Sequence, residues 1–256
     1  MQLSRLWGIV FYRTLAGIKA EGRQNYLGYF WYLLEPALST AIFYFAFSHV
    51  MGRGVEYVIF LLIGLTAWQW YEGTCLAAAT AIKAKLHILQ HFDLPKHIFP
   101  LVTILVSTWK FLCIFFVLIA GYLLLGKNPW PGWNLVWLPL ILACQLLLIV
   151  STSIPLAISA TYFNDTLTLA STVFRILFFV SGIYFSADKV PAQLLGAFYA
   201  NPMAGIIESY RHVLLDRQPP NFPALLYCAL ASGAWLGVGL LFSAYVNRRI
   251  LKHASL

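Results

Sequence analysis

Several blocks of this chain longer than 20 residues are predominantly apolar, the length a helix needs to cross the ~30 Å hydrocarbon layer of a bilayer. Within that layer every backbone N–H and C=O must be satisfied inside the protein, which leaves helices or a closed β-barrel. Barrel strands announce themselves as ~10-residue alternating segments, and the chain has none. Only 10% of the 256 residues are charged and 61% are hydrophobic, where a soluble domain carries about 25% charged residues. The fold class is therefore an all-α integral membrane protein.

Six crossing segments are expected: Gly28 to Met51, Val58 to Ala79, Ile98 to Leu125, Val136 to Phe163, Leu167 to Phe185 and Phe222 to Val246. Ahead of them Leu3, Leu6, Trp7, Val10, Phe11, Leu15 and Ile18 recur at helical spacing, with Arg5, Arg13 and Lys19 interspersed. That is the pattern of an amphipathic helix lying in the headgroup layer. Met1 to Ala20 has neither a compact apolar core nor a small-residue cleavage site, so it does not read as a cleavable signal. The stretch KAEGRQNYLGYFWYLLEP, Lys19 to Pro36, is then the junction from surface helix to first crossing helix. The whole chain reads as one membrane domain, with residues 1–27 as interfacial helix and junction, 28–246 as the six-helix region and 247–256 as a cytoplasmic tail.

The net charge of +8 suits a membrane topology better than nucleic-acid binding, because Lys and Arg collect in cytoplasmic loops. With the N-terminus inside, ten cations fall on the cytoplasmic side and five outside, which places both termini in the cytoplasm. Trp130, Trp133 and Trp137 cluster at the outer ends of segments three and four, as interfacial indoles do. Two connections exceed simple turns. The cytoplasmic one, TAIKAKLHILQHFDLPKH from Thr80 to His97, is basic and reads as helical up to Pro95. The outer one, Ser186 to Asn221, is too apolar for a solvated loop and is interrupted by Asn201-Pro202, which fits short helices dipping back into the outer leaflet as a re-entrant hairpin.

Few motifs carry chemistry. Gly121 to Asn128 nearly spells a phosphate-binding loop, but Asn128 stands where Ser or Thr must hold magnesium, and no strand precedes it. No nucleotide site or other cofactor is expected on this chain. His87 and His91 share a helix face with Asp93 and His97 nearby, which fits solvent or partner contacts in a basic helix better than a metal. The four cysteines sit inside apolar blocks with no CxxC pair. Ionisable residues within crossings are costly and face cavities, partners or the bundle interior. These are Glu35, Glu72, Lys110 and Arg175. Glu72 and Lys110 are candidates for an internal pair. Arg175, without an obvious partner on its own helix, is the preferred contact for an anionic substrate. An enzyme acting on lipid-linked sugars is the competing class, with Glu56 and His49 as its only loose acid–base offers at the outer face; a passive scaffold is a third.

The order of amphipathic helix, Leu-Gly junction, six crossings and re-entrant hairpin resembles the permease subunits of the ABC-2 type exporters that move finished polysaccharides out of bacteria. The local matches are Leu27-Gly28-Tyr29, Trp31 and Glu35-Pro36; Phe163-Asn164-Asp165; Val190-Pro191; and Asn201-Pro202 with Glu208 and Arg211. LGYFWYLLEP, Arg175 and Ser181-Gly182-Ile183 lean toward the capsular branch. Asn164 and Gly182 depart from the O-antigen pattern, which, with teichoic-acid export, is the alternative. The resemblance implies a homodimer around a conduit, in the inner membrane, paired with two copies of a separate ATPase that binds ATP and magnesium. It implies a lipid-linked polysaccharide as substrate, periplasmic export proteins as further contacts and no nucleic acid. It makes Arg175, Lys110, Tyr44, Phe47 and Phe178 candidates for the pathway, and Leu27, Gly28, Glu35 and Pro36 a junction or gate. Lys19, Arg23, Lys83, Lys85, His87, His91 and Lys96 become candidates for docking the ATPase.

Overall fold

The computed structural model describes residues 3–24, 54–85, 95–125 and 132–254, with scattered positions between 30 and 52. Leu27, Gly28, Glu35, Pro36, Tyr44, Phe47, His49, His87 and His91 lie outside the described residues, as does most of the first expected crossing. Arg23 lies in a described helix, but its side chain does not belong to the described set.

The described residues form eight α-helices and no strand: α1 Leu3–Gln24, α2 Val55–Ala81, α3 Ile98–Leu125, α4 Leu138–Tyr162, α5 Thr166–Val180, α6 Leu195–Ala200, α7 Pro202–Arg211 and α8 Phe222–Ala254. Among the described residues, three helical stretches are long and apolar enough to cross a membrane: Ile98–Ala120, Gly132–Tyr162 and Phe222–Phe242. The bounds expected for segment three match α3 at both ends.

Helix α2 is the hub, packed against α3, α4, α5 and α7. Leu61, Ile63, Ala67, Trp68, Cys75 and Ala78 are buried along it. Thr66 and Thr74 are buried on it too, and Trp68 Nε1 donates to Glu72 Oε2 at 2.6 Å, so the bond given to Glu72 comes from its own helix. Helix α8 packs on α4 so closely that a Cβ on Gly239 would overlap the ring of Pro155. Helix α1 lies along the start of α3, with Val10 buried, Arg13 5.6 Å from the Phe99 ring centroid and Gly17 facing Val106. Trp7, Phe11, Tyr12 and Leu15 stay exposed on its other side. This is the two-faced helix expected from the spacing.

The fifth segment differs from its expected bounds. Its helix ends at Val180 after 15 residues, because Gly182 adopts φ 71, a conformation that ends a right-handed helix and is open mainly to glycine. The Phe198 ring closes over that glycine, leaving a Cβ only 2.8 Å from its Cζ. The Ser186 to Asn221 connection holds two short helices, α6 and α7, separated at Asn201-Pro202. The Asn201 side chain accepts from Met203 N at 3.1 Å, an N-cap that satisfies one orphan donor of α7. Helix α7 is the most enclosed element: Met203 through Ile207 and Ser209 through Arg211 are all buried. Of the connection from Thr80 to His97, Lys83–Lys85 forms a single 3-10 turn, and residues 86–94 lie outside the described set.

Candidate functional site

Helix α5 has one packed face and one open face. Phe174 is buried between Trp68, at 6.4 Å, and Tyr71, at 5.3 Å between ring centroids. Ala170, Leu177 and Phe178 join it against the core. Opposite stand Thr168, Thr172, Arg175 and Phe179, all exposed. Their spacing of four, three and four residues keeps them in one stripe along a 3.6-residue helix. Thr172 Oγ1 and Ser171 Oγ both donate to the Thr168 carbonyl at 2.9 Å, so those hydroxyls are tied down and the guanidinium is the reaching group. Among the described residues Arg175 forms no hydrogen bond or ion pair, although a charge on an apolar helix normally finds a partner or a wet cavity.

Of the pathway candidates, Arg175 stands on this stripe and Phe178 does not. Phe178 lies inward, its ring 5.8 Å from Trp68 and 5.6 Å from Tyr184. Its neighbour Phe179, which the sequence did not single out, faces outward. Lys110 sits half-buried on α3, whose main partners are α1, α2 and α4, so the structure does not bring it together with Arg175. Glu56 is exposed in the first turn of α2.

The outer end of α5 is fastened by the hairpin. Arg211, counted by sequence among the outer-face cations, is instead 5% exposed. Its Nη1 donates to Gly182 O at 2.7 Å and its Nη2 to Ile183 O at 2.8 Å. Longer bonds run to Phe60 O at 3.2 Å and Phe185 O at 3.5 Å. The guanidinium carbon lies 3.3 Å from the Phe60 ring centroid, a cation–π contact. Burial pulls this group down to about 9, against the opposing pull of Tyr57, Glu208 and Asp216, which leaves it charged at neutral pH. Asn201 Nδ2 donates to Ser181 Oγ at 2.7 Å, and Tyr57 OH to Tyr184 O at 2.9 Å. Glu208 receives Tyr199 OH at 2.8 Å and Asn221 Nδ2 at 3.0 Å. A cavity of about 200 Å³ opens among Phe185, Phe198, Glu208, Arg211, His212 and Asp216.

Deeper in, Tyr210 OH donates to Gln145 Oε1 at 2.8 Å, and Gln145 Nε2 to Ala67 O at 2.8 Å. This fully buried chain pins α7 to α4 and α2. Sequence reading missed it, though a lone Gln within a 28-residue apolar block (Val136 to Phe163) was the available signal.

At the inner end, Lys83 Nζ donates to Asn164 Oδ1 at 2.7 Å. Lys96 Nζ donates to Tyr162 OH at 3.5 Å and stands 5.8 Å from that ring's centroid. Two of the expected docking lysines therefore contact the turn between α4 and α5. Lys19 and Lys85 are exposed.

A family model described as ABC-2 type transporter matches residues 14–215. The O-antigen export system permease protein RfbA of Klebsiella pneumoniae is 26% identical over 216 residues, 84% of this chain and 83% of that protein. RfbA of Myxococcus xanthus is 23% identical over 236 residues, 90% and 89% of the two chains. The polysialic acid transport protein KpsM of Escherichia coli is 25% identical over 223 residues, 84% of each.

Proposed function

Because the chain belongs to the ABC-2 type transporter family, we propose that it is the permease of an ATP-driven exporter of lipid-linked surface polysaccharide in the bacterial inner membrane. Six crossings with both termini cytoplasmic, a re-entrant outer hairpin and a homodimeric conduit complete this reading. ATP and magnesium are bound by a separate ATPase, present in two copies. The exported polymer is capsular, as the junction LGYFWYLLEP and Arg175 suggest and as the KpsM relative supports. O-antigen is the second reading, favoured by the RfbA relatives; the identities to the two groups are too close to rank them.

The observation that carries the reading is the open stripe of α5. A guanidinium flanked by threonines and an aromatic ring, on a helix that packs on the core through Phe174 on its other side, offers an acidic glycan a charged contact and a stacking surface. Such a group in hydrocarbon has no use to lipid and is costly there.

The test is the substitution Arg175→Ala in the native host. Surface polysaccharide is expected to fall while permease level and dimer are retained, and Arg175→Lys should restore part of the loss. A normal surface coat on the Arg175→Ala cells would remove Arg175 from the pathway. Deleting the chain and identifying which polymer and lipid anchor accumulate inside separates capsule from O-antigen.

A further inference from the structure

Resting on the reading that an ATPase acts on the cytoplasmic connection, we propose that Lys83 and Lys96 are transmission residues. They grip the α4–α5 turn and pass the ATPase stroke into α5, instead of docking the ATPase themselves. The geometry is a clamp. Lys83 lies two residues beyond the end of α2, and Lys96 two residues before the start of α3, so they flank the two ends of one connection. Both reach the junction of α4 and α5, Lys83 in the three-residue turn 163–165 and Lys96 at Tyr162, the last residue of α4. Lys83 holds Asn164 at 2.7 Å. Lys96 holds Tyr162 by its hydroxyl and lies against its ring.

The turn leads directly into α5. Asp165 is the N-cap of that helix, and the Asp165 carbonyl accepts from Leu169 N at 2.9 Å. A displacement of the connection therefore pulls on the first turn of the helix that carries Arg175. At the other end α5 is tied by Arg211 to the carbonyls of Gly182 and Ile183 and by Asn201 to Ser181. A short helix held at both ends by side-chain bonds moves as a strut and does not flex along its length.

Each bond alone is modest, since exposed pairs of this kind contribute little to stability. That is what makes the role testable, because Lys83 and Asn164 are exposed and their removal leaves the fold intact. The experiment uses the full chain co-expressed with its ATPase in the host and compares Lys83→Met, Asn164→Leu and the double variant, with Lys83→Arg as the conservative control. Three quantities are read: ATPase retained on the tagged permease, ATP turnover of the purified complex in nanodiscs, and the ratio of surface to intracellular polysaccharide.

ATPase retention and ATP turnover are expected to stay at wild-type level. The surface-to-intracellular ratio should drop about five-fold in each single variant, the scale of coupling changes along such contacts. The double variant should be no worse than either single, and Lys83→Arg should export normally. Loss of the ATPase from Lys83→Met complexes would return Lys83 to docking and overturn the proposal. So would wild-type export in both singles, or losses that multiply in the double. If the wild-type chain retains no ATPase, or no polysaccharide depends on it, the exporter reading itself fails, an outcome distinct from these.

Discussion

Replacing Arg211 by Met isolates what its fork of donors contributes, because Met keeps most of the stem and removes every donor. In the native structure the two short bonds serve the carbonyls of Gly182 and Ile183, both buried. A buried polar group left without a partner costs about 1–3 kcal/mol, so the two together cost about 2–6 kcal/mol. The contact with Phe60 contributes about 0.5–2 kcal/mol more. Against this, the variant no longer holds a cation out of water, which returns part of the loss. A net destabilisation of about 3 kcal/mol is the expected balance. For a chain of this size that corresponds to a fall in melting temperature of roughly 6–12 °C, measured by intrinsic tryptophan fluorescence of the purified protein in detergent. Arg211→Lys should recover less than half of it, since one ammonium cannot reach carbonyls on both sides as a planar fork does. A Met variant melting within about 2 °C of wild type would refute the reasoning, and a Lys variant equal to wild type would show that charge matters and the fork does not.

Two further outcomes concern the same wall. Gln145→Leu should destabilise the chain by about 1–3 kcal/mol by stranding the buried Tyr210 OH. Adding Tyr210→Phe should cost less than the sum of the two singles, as read by a double-mutant cycle on melting temperature. Gly182→Ala meets both a left-handed backbone and the Phe198 ring, so it should cost about 1–3 kcal/mol. Phe198→Ala in the same chain should relieve only the steric part, and full recovery would show that the backbone carries no strain.

The helices that face surroundings of one kind were legible as sequence. Ile98 to Leu125 is apolar apart from Lys110 and a few hydroxyls, so hydropathy located its bounds. Where a segment's fate depends on distant partners, the chain alone was silent. Nothing local distinguishes the buried Arg211 from the exposed Arg217, because the cage is built from the carbonyls of Phe60, Gly182 and Ile183 on other elements. The end of α5 turned on one backbone angle at Gly182 and a ring from Phe198, which periodicity cannot show. Lys83 and Lys96 read as a basic patch, and only the fold places Asn164 and Tyr162 within their reach. Arg175 was identifiable, since a lone cation in an apolar helix stands out wherever it points. Choosing Phe178 over Phe179 required knowing which side of α5 meets Trp68.

The brevity of α5 has an electrical consequence. Fifteen residues rise about 22 Å, roughly 8 Å less than the hydrocarbon layer. Beyond Val180 come bent backbone and the polar side chains around Arg211, not insulating helix. On the proposed reading that α5 is one of six crossings, the membrane voltage would fall over that shorter distance and the local field would be stronger by about a third. Each elementary charge carried across the full voltage exchanges about 2.3 kcal/mol per 100 mV with it. On the export path proposed along α5, in a cell whose interior is negative, every carboxylate of an acidic glycan would be drawn outward by that field, whereas a neutral glycan would cross unaided.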